Sequence, residues 1–258
     1  RVLLLDHAEA VGKKILISGG GRCNFTNLDV VPERFISANP HFARSALARY
    51  TQHDFIALIR KHRIAFHEKT LGQLFCDGSA REVVAMLLAE CAAAGVDIRL
   101  GCRVGEVSRA EGFRVETNLG VFTAPALVLA TGGLSIPKMG ATGLSYEVAT
   151  RFGLKLTETR PGLVPLIFDG DDLALMRALA GVAADVVVSC GKRAFAEAML
   201  FTHRGLSGPA VLQVSSYWRE GQEIVVNLAP ARDAAALLLA AKQARPNAAL
   251  RTVLGDML

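Results

Sequence analysis

The densest concentration of potential chemistry in the 258-residue chain runs from Lys13 to Asn27, Lys-Lys-Ile-Leu-Ile-Ser-Gly-Gly-Gly-Arg-Cys-Asn-Phe-Thr-Asn. Gly19, Gly20 and Gly21 permit positive φ and let backbone N–H groups come close to an anion. Lys14 and Arg22 bring positive charge to that turn, while Ser18, Asn24 and Thr26 bring neutral donors. This donor set suits a phosphate-bearing cofactor. Most glycine-rich turns only redirect the chain, so the meaning of this one depends on what flanks it.

Upstream, residues 1–6 are Arg-Val-Leu-Leu-Leu-Asp, an apolar run ending in a carboxylate. It reads as a buried parallel strand whose terminal Asp6 could accept from a ribose 2′-hydroxyl. In dinucleotide-binding folds such an acid follows a G-x-G-x-x-G turn by about 20 residues. The chain starts without Met, inside this strand, so the preceding strand and its phosphate loop are expected to lie outside it. Downstream, residues 126–130, Ala-Leu-Val-Leu-Ala, read as a second buried strand, followed directly by Thr131-Gly132-Gly133. A strand ending in Ala-Thr-Gly places the chain near a cofactor at the carboxyl edge of a sheet.

Four blocks, residues 14–27, 71–80, 130–143 and 200–218, together resemble the BaiN/YhiN-like NAD(P)/FAD-dependent flavoproteins, with a close match to the YhiN branch. The resemblance runs nearly end to end. It implies an α/β chain: a Rossmann-like FAD-binding domain of the two-dinucleotide-binding type over residues 1–160, lacking its first strand and G-x-G-x-x-G. A β-barrel-like second domain would follow over 161–230, then the start of a truncated helical segment over 231–258. A C-terminal glycine-rich block that closes over the flavin in the family also has no counterpart here.

The same resemblance implies FAD and NAD(P)H as cofactors and reduction of a carbon–carbon double bond as the reaction. Activities associated with the family include reduction of uridine to dihydrouridine in large-subunit ribosomal RNA, and redox steps on steroid-like enones. The YhiN-like blocks and the positive charge favour ribosomal RNA as partner. A reductase or oxidase of a small molecule such as an enone or amine, and a flavin-free binding protein on the same fold, are the alternatives. The fragment alone is expected to be a poor enzyme.

Carried onto this sequence, the cofactor-binding positions are Asp6, Lys14, Ser18, Gly19, Gly20, Gly21, Arg22, Cys23, Asn24, Val104, Thr131, Gly132 and Gly133. Val104 falls where relatives offer backbone bonds to the adenine. Lys138, Thr142, Gly143 and Arg204 are candidates for substrate contact. For a uracil, hydride would arrive at C6 and an acid would protonate C5; Cys76, His203 and Cys23 are the candidate acids. Cys23 ranks below Cys76, because Arg22 beside it would stabilise a thiolate. A lone cysteine is also commonly a small buried apolar residue.

Composition sets the frame. The chain is 51% hydrophobic and 21% charged, enough to bury a core in one large domain or two. Its 29 Lys and Arg against 24 Asp and Glu give +5, with a pI near 9.1, which suits an anionic partner without requiring one. Five cysteines at wide spacing, with no C-x-x-C, fit neither a disulfide framework nor a zinc site, and point to a reduced, cytoplasmic setting with no metal. No apolar run has membrane-spanning length. Ser-His-Asp, H-E-x-x-H and P-loop lysine patterns do not occur, which removes hydrolase, zinc protease and kinase readings.

Further elements position these groups. Asn39-Pro40 predicts a helix start with Phe42, Leu47 and Tyr50 on its apolar face, and Thr51 with Asp54 predicts another that ends in Lys61, His62 and Arg63. That end reads as a solvated basic terminus, with an RNA-facing patch as the rival. Ser79 and Glu82 form a capping-box pattern for a helix reaching Ala94, stopped by Gly95. Residues 104–124 alternate as short antiparallel strands, 137–143 form a loop into a helix, and 163–228 hold β-rich segments. Ser207 and Pro209 predict a helix start after His203 and Arg204, a candidate anion site.

Overall fold

A computed structural model describes residues 1–230 and 232–256, so residues 231, 257 and 258 of the expected helical segment lie outside the described residues. The chain divides into two units, Arg1–Thr157 and Glu158–Leu258.

In the first unit β1 (Leu3–Leu5) pairs in parallel with β5 (Asp97–Arg99), Leu3 opposite Asp97. A parallel pair requires a long crossover, and the intervening chain supplies it with α1 (Lys13–Ile17), α2 (Arg44–Arg49), α3 (Gln52–Lys61) and α4 (Ala80–Ala93). Within that crossover, β2 (Asn24–Asn27), β3 (Phe66–Glu68) and β4 (Gln73–Cys76) form an antiparallel sheet in the order β2-β4-β3. Its inner face joins α3 and α4 in a core of Cys23, Ile59, Ile64, Cys76, Val83 and Met86.

Both long helices start as the side chains dictate. Thr51 Oγ1 accepts from the Asp54 N–H and Asp54 accepts from the Thr51 N–H, while ahead of α4 Ser79 Oγ accepts from the Arg81 N–H and Glu82 accepts from the Ser79 N–H. Gly95, at φ 64°, follows the end of α4. At the other end of α3, Lys61 and His62 both donate to Glu90 Oε1 of α4, at 2.7 and 2.6 Å. Those contacts hold the Glu90 carboxyl below its usual range.

A meander of β6 (Val104–Arg109), β7 (Phe113–Thr117) and β8 (Gly120–Ala124) packs Val107 and Val115 against Val148 of α5 (Leu144–Arg151). Two expectations need correction. The strand predicted at residues 126–130 is absent, and Val128 is 84% exposed. The run joins no ladder, for no described strand pairs with it. The helix predicted from Asn39-Pro40 begins only at Arg44, because Asn39 accepts from the His41 and Phe42 N–H groups and closes a turn; Phe42 is left 77% exposed.

In the second unit β10 (Ala183–Cys190) and β11 (Arg193–Thr202) form a long hairpin around Gly191, whose φ is 56°. With β9 (Leu166–Ile167), β12 (Gly205–Ser207) and β13 (Val225–Asn227) they give an antiparallel sheet in the order β13-β10-β11-β12-β9. Val186, Val188 and Met199 on one face of it pack against α6 (Gly170–Ala178) and α7 (Pro209–Ser215). Gly208, not Ser207, is the residue ahead of α7, since Ser207 is held in the ladder opposite Leu200. The terminal stretch forms α8 (Ala234–Ala244) and α9 (Leu250–Gly255), interrupted at Pro246, which cannot continue a helix.

Candidate functional site

Three segments of the first unit converge. The end of β1 carries Asp6 and His7. Asp6 is locked into the turn, for its Oδ1 accepts from the Ala8 N–H at 2.8 Å and its carbonyl accepts from the Cys102 N–H at 2.9 Å. Cys102 leads into Val104 at the start of β6, so Val104 shares this edge with Asp6.

The glycine turn is the second segment. α1 ends at Ile17, and residues 18–21 tighten into a 3-10 turn in which Gly19, Gly20 and Gly21 adopt φ of 56, 66 and 86°. These values lie in the left-handed region that Cβ-bearing residues resist. A Cβ on Gly19 would stand 2.6 Å from Phe75 Cε1 and 2.8 Å from the Asn24 nitrogen, so that glycine is required by packing. At Gly20 nothing lies within 4 Å of the same position: the space is open. The Arg22 side chain is exposed and makes no hydrogen bond or ion pair among the described residues.

The third segment is the loop of residues 131–143. Lys14 Nζ donates to Ser135 Oγ at 3.1 Å, which ties the loop to α1. Gly140, at φ 92°, lies against the His7 ring: a Cβ there would be 2.6 Å from Nε2. Thr131 Oγ1 and Ser145 Oγ are 2.5 Å apart, Gly132 adopts φ 75°, and Gly133 faces the Tyr146 hydroxyl. Lys138 and Thr142 are exposed, and Gly143 precedes α5.

Other predicted residues sit differently. Ser18 Oγ donates to the Ile15 carbonyl at 2.8 Å, so its one O–H is engaged within the chain. The Asn24 amide, oriented to satisfy its donors, reaches the Leu74 and Thr26 carbonyls. Cys23 and Cys76 are packed together in the core, and Cys76 is 0% exposed. Burial first, then the neighbouring Cys23, Glu82 and Asp77, push the Cys76 thiol up to about 11. A thiol so enclosed has no path to a substrate in this conformation. His203 and Arg204 occupy the exposed turn between β11 and β12 of the second unit, not a helix start, because β12 intervenes before α7.

His7, Ser135 and Tyr146 were not singled out by sequence reasoning. Each joins the site through a contact between distant segments, and no local pattern announces such contacts. Among the described residues no three metal-ligating side chains cluster, and no helix is long and apolar enough to cross a membrane.

The model of the HI0933-like protein Rossmann domain matches residues 1–216. The chain belongs to that family. It is similar to the ribosomal RNA dihydrouridine synthase of Escherichia coli (strain K12), at 50% identity over 256 residues, covering 98% of the chain and 64% of the relative. The ribosomal RNA dihydrouridine synthase of Haemophilus influenzae is 43% identical across the whole chain and 65% of its own length. A 3-dehydro-bile acid delta(4,6)-reductase of Clostridium scindens is 30% identical over 86% of the chain and 55% of the relative. The chain thus spans just under two thirds of the first two relatives.

As a Rossmann-type family member the chain is suited to a dinucleotide cofactor such as FAD, and the residues present fit one. The positive-φ turn, the open space at Gly20 and the unengaged Arg22 guanidinium are suited to donate to a pyrophosphate, and the Asp6 carboxylate beyond the end of β1 is suited to accept from a ribose hydroxyl.

Proposed function

We propose that the parent protein is an FAD-dependent oxidoreductase that uses NAD(P)H to reduce uridine to dihydrouridine in large-subunit ribosomal RNA. The observation that carries this reading is the 50% identity to a ribosomal RNA dihydrouridine synthase over nearly the whole chain, with the 131–143 loop joined to Lys14 ahead of the glycine turn and to His7 beside Asp6. In this reading the first unit belongs to a two-dinucleotide-binding Rossmann domain, and the five-stranded sheet of the second unit to a barrel-like domain.

Bound FAD would supply the hydride chemistry. The chain's own residues would hold and orient it: Arg22 and the open Gly20 turn would take the pyrophosphate, Asp6 the ribose, and the backbone at Val104 the adenine. The loop carrying Lys138, Thr142 and Gly143 faces the substrate, with Lys14 fixing it through Ser135. Arg204 offers a cation to a phosphate. Because Cys76 is enclosed, we assign it to packing, which leaves His203 as the candidate acid.

The test is mass spectrometry of ribosomal RNA from cells with and without the full-length gene, scanning for a uridine that carries two extra hydrogens. Loss of that nucleoside in the deletion and its return with the gene supports the assignment; an unchanged profile removes it. A second reading, reduction of a small enone, draws on the bile acid reductase relative and on exposed Leu134 and Ile136 in the loop. Flavin reoxidation by steroid-like enones, absent with RNA, would favour it.

A further inference from the structure

Positive charge is distributed very unevenly along this chain. Residues 41–69 hold six lysines and arginines against two carboxylates, so one ninth of the sequence carries four of the five net charges. Four of the six histidines fall in the same stretch. The structure folds it into α2, α3 and β3, and β3 is an edge strand with its outer side uncovered by any other described strand.

The cations on this edge divide into two groups. Lys61 and His62 are both held by Glu90. Arg60, Arg63 and Lys69 are exposed and pair with no carboxylate among the described residues. Arg60 lies 5.7 Å from the Phe66 ring centre and Lys69 5.4 Å from that of Phe75, so aromatic faces, not counter-charges, position them. His67 stacks on Phe75 at 6.4 Å and 20°, held by its bond to Asp77 at 2.6 Å. Phe75 is the link to the site, since its ring edge is the group that Gly19 must remain small to accommodate. The basic edge therefore ends beside the glycine turn.

We propose that Arg60, Arg63 and Lys69 form a track that seats the phosphates of a single RNA strand and brings it alongside the glycine turn. From the turn at Arg63 through β3 to Lys69 the chain reaches at most about 20 Å, room for no more than roughly three successive phosphates. Unpaired cations are the ones that can exchange solvent counterions for phosphate; a cation already closed by Glu90 gains little by doing so. The inference rests on the RNA reading above and specifies the surface it uses.

The test is binding of a fluorescein-labelled, mixed-sequence single-stranded RNA to the full chain, measured by anisotropy across a salt series. Each phosphate contact contributes about 0.7 to the slope of log K against log salt on a single strand. The variant R60Q/R63Q/K69Q is expected to flatten that slope by about 2 and weaken binding roughly tenfold at moderate salt. The control K155Q/R177Q/K192Q removes the same charge from exposed cations elsewhere and is expected to leave the slope nearly unchanged. Lys69→Gln alone, rescued by Lys69→Arg, gives the same answer if the triple variant folds poorly. Equal losses in the track and control variants would overturn the track while leaving RNA binding intact. No RNA binding by the unaltered chain would overturn both the track and the RNA reading.

Discussion

Gly19 and Gly20 adopt nearly the same backbone conformation, yet substituting them should have different consequences. Alanine at either position must accept a left-handed φ, at a cost of about 1–2 kcal/mol. Reduced freedom of the unfolded chain offsets about 0.4–1 kcal/mol of that. For Gly20→Ala this is nearly the whole effect, because the new methyl meets nothing within 4 Å. The net destabilisation is about 1 kcal/mol, a fall in Tm of about 2–4 °C. Gly19→Ala must also place a methyl 2.6 Å from Phe75 and 2.8 Å from the backbone nitrogen of Asn24. Phe75 is 8% exposed and covered by His67 and Lys69, so it has little room to yield. Overpacking of this kind adds about 1–3 kcal/mol. Urea unfolding of the two variants should separate them by that amount. Flavin titration of the full-length parent should invert the order when normalised to folded protein, with Gly20→Ala weakening FAD at least tenfold through the methyl it puts into the cradle. Equal unfolding costs would refute the packing argument; undiminished flavin affinity in Gly20→Ala would refute the cradle.

Three further outcomes are expected. The Cys76 pKa is raised from 9.0 to about 11, so the neutral thiol's contribution is fully present below pH 9.0 and lost as pH rises through about 11; the loss is at most about 3 kcal/mol, and this alkaline shoulder in unfolding free energy should be missing from Cys76→Ala. Glu90 is depressed below its ordinary 4.5 by Lys61 and His62, so its contribution exists above that value and disappears as pH falls through the lowered one; the Tm difference between the unaltered chain and Glu90→Gln should vanish in acid. Ser79→Ala removes the acceptor of the Arg81 N–H and should destabilise the first unit by about 1 kcal/mol in urea, while a variant that melts unchanged would show that α4 does not depend on its cap.

Local signals in the sequence were read correctly where the physics is local. The capping boxes at Thr51 and Ser79, the Gly95 stop and the β6-β7-β8 meander each depend on side chains within a few residues of one another. Reading failed where pairing is remote. An apolar run at residues 126–130 has the composition of a covered strand, but composition cannot supply a neighbour to pair with. His203 and Arg204 precede a proline, which suggested a helix start, and the short ladder of β12 with β11 captured the residues in between. Of the site itself, the glycine turn and Asp6 were legible because backbone conformation and strand polarity limit the residues allowed there. The contacts of His7 with Gly140 and of Lys14 with Ser135 were not, since each joins segments more than a hundred residues apart.

Residues 126–130 also affect how the chain behaves in a tube. Leu127 is anchored against the Val107–Val148 core, while Val128 is outward and the run belongs to no described ladder. An anchored, uncharged apolar segment outside any ladder is a ready template for a second strand, including the same segment of another molecule. Concentrated solutions of the chain should therefore associate through this edge. Val128→Lys, which puts a charge where a pairing strand would lie, should keep it monomeric in light scattering without changing its unfolding curve.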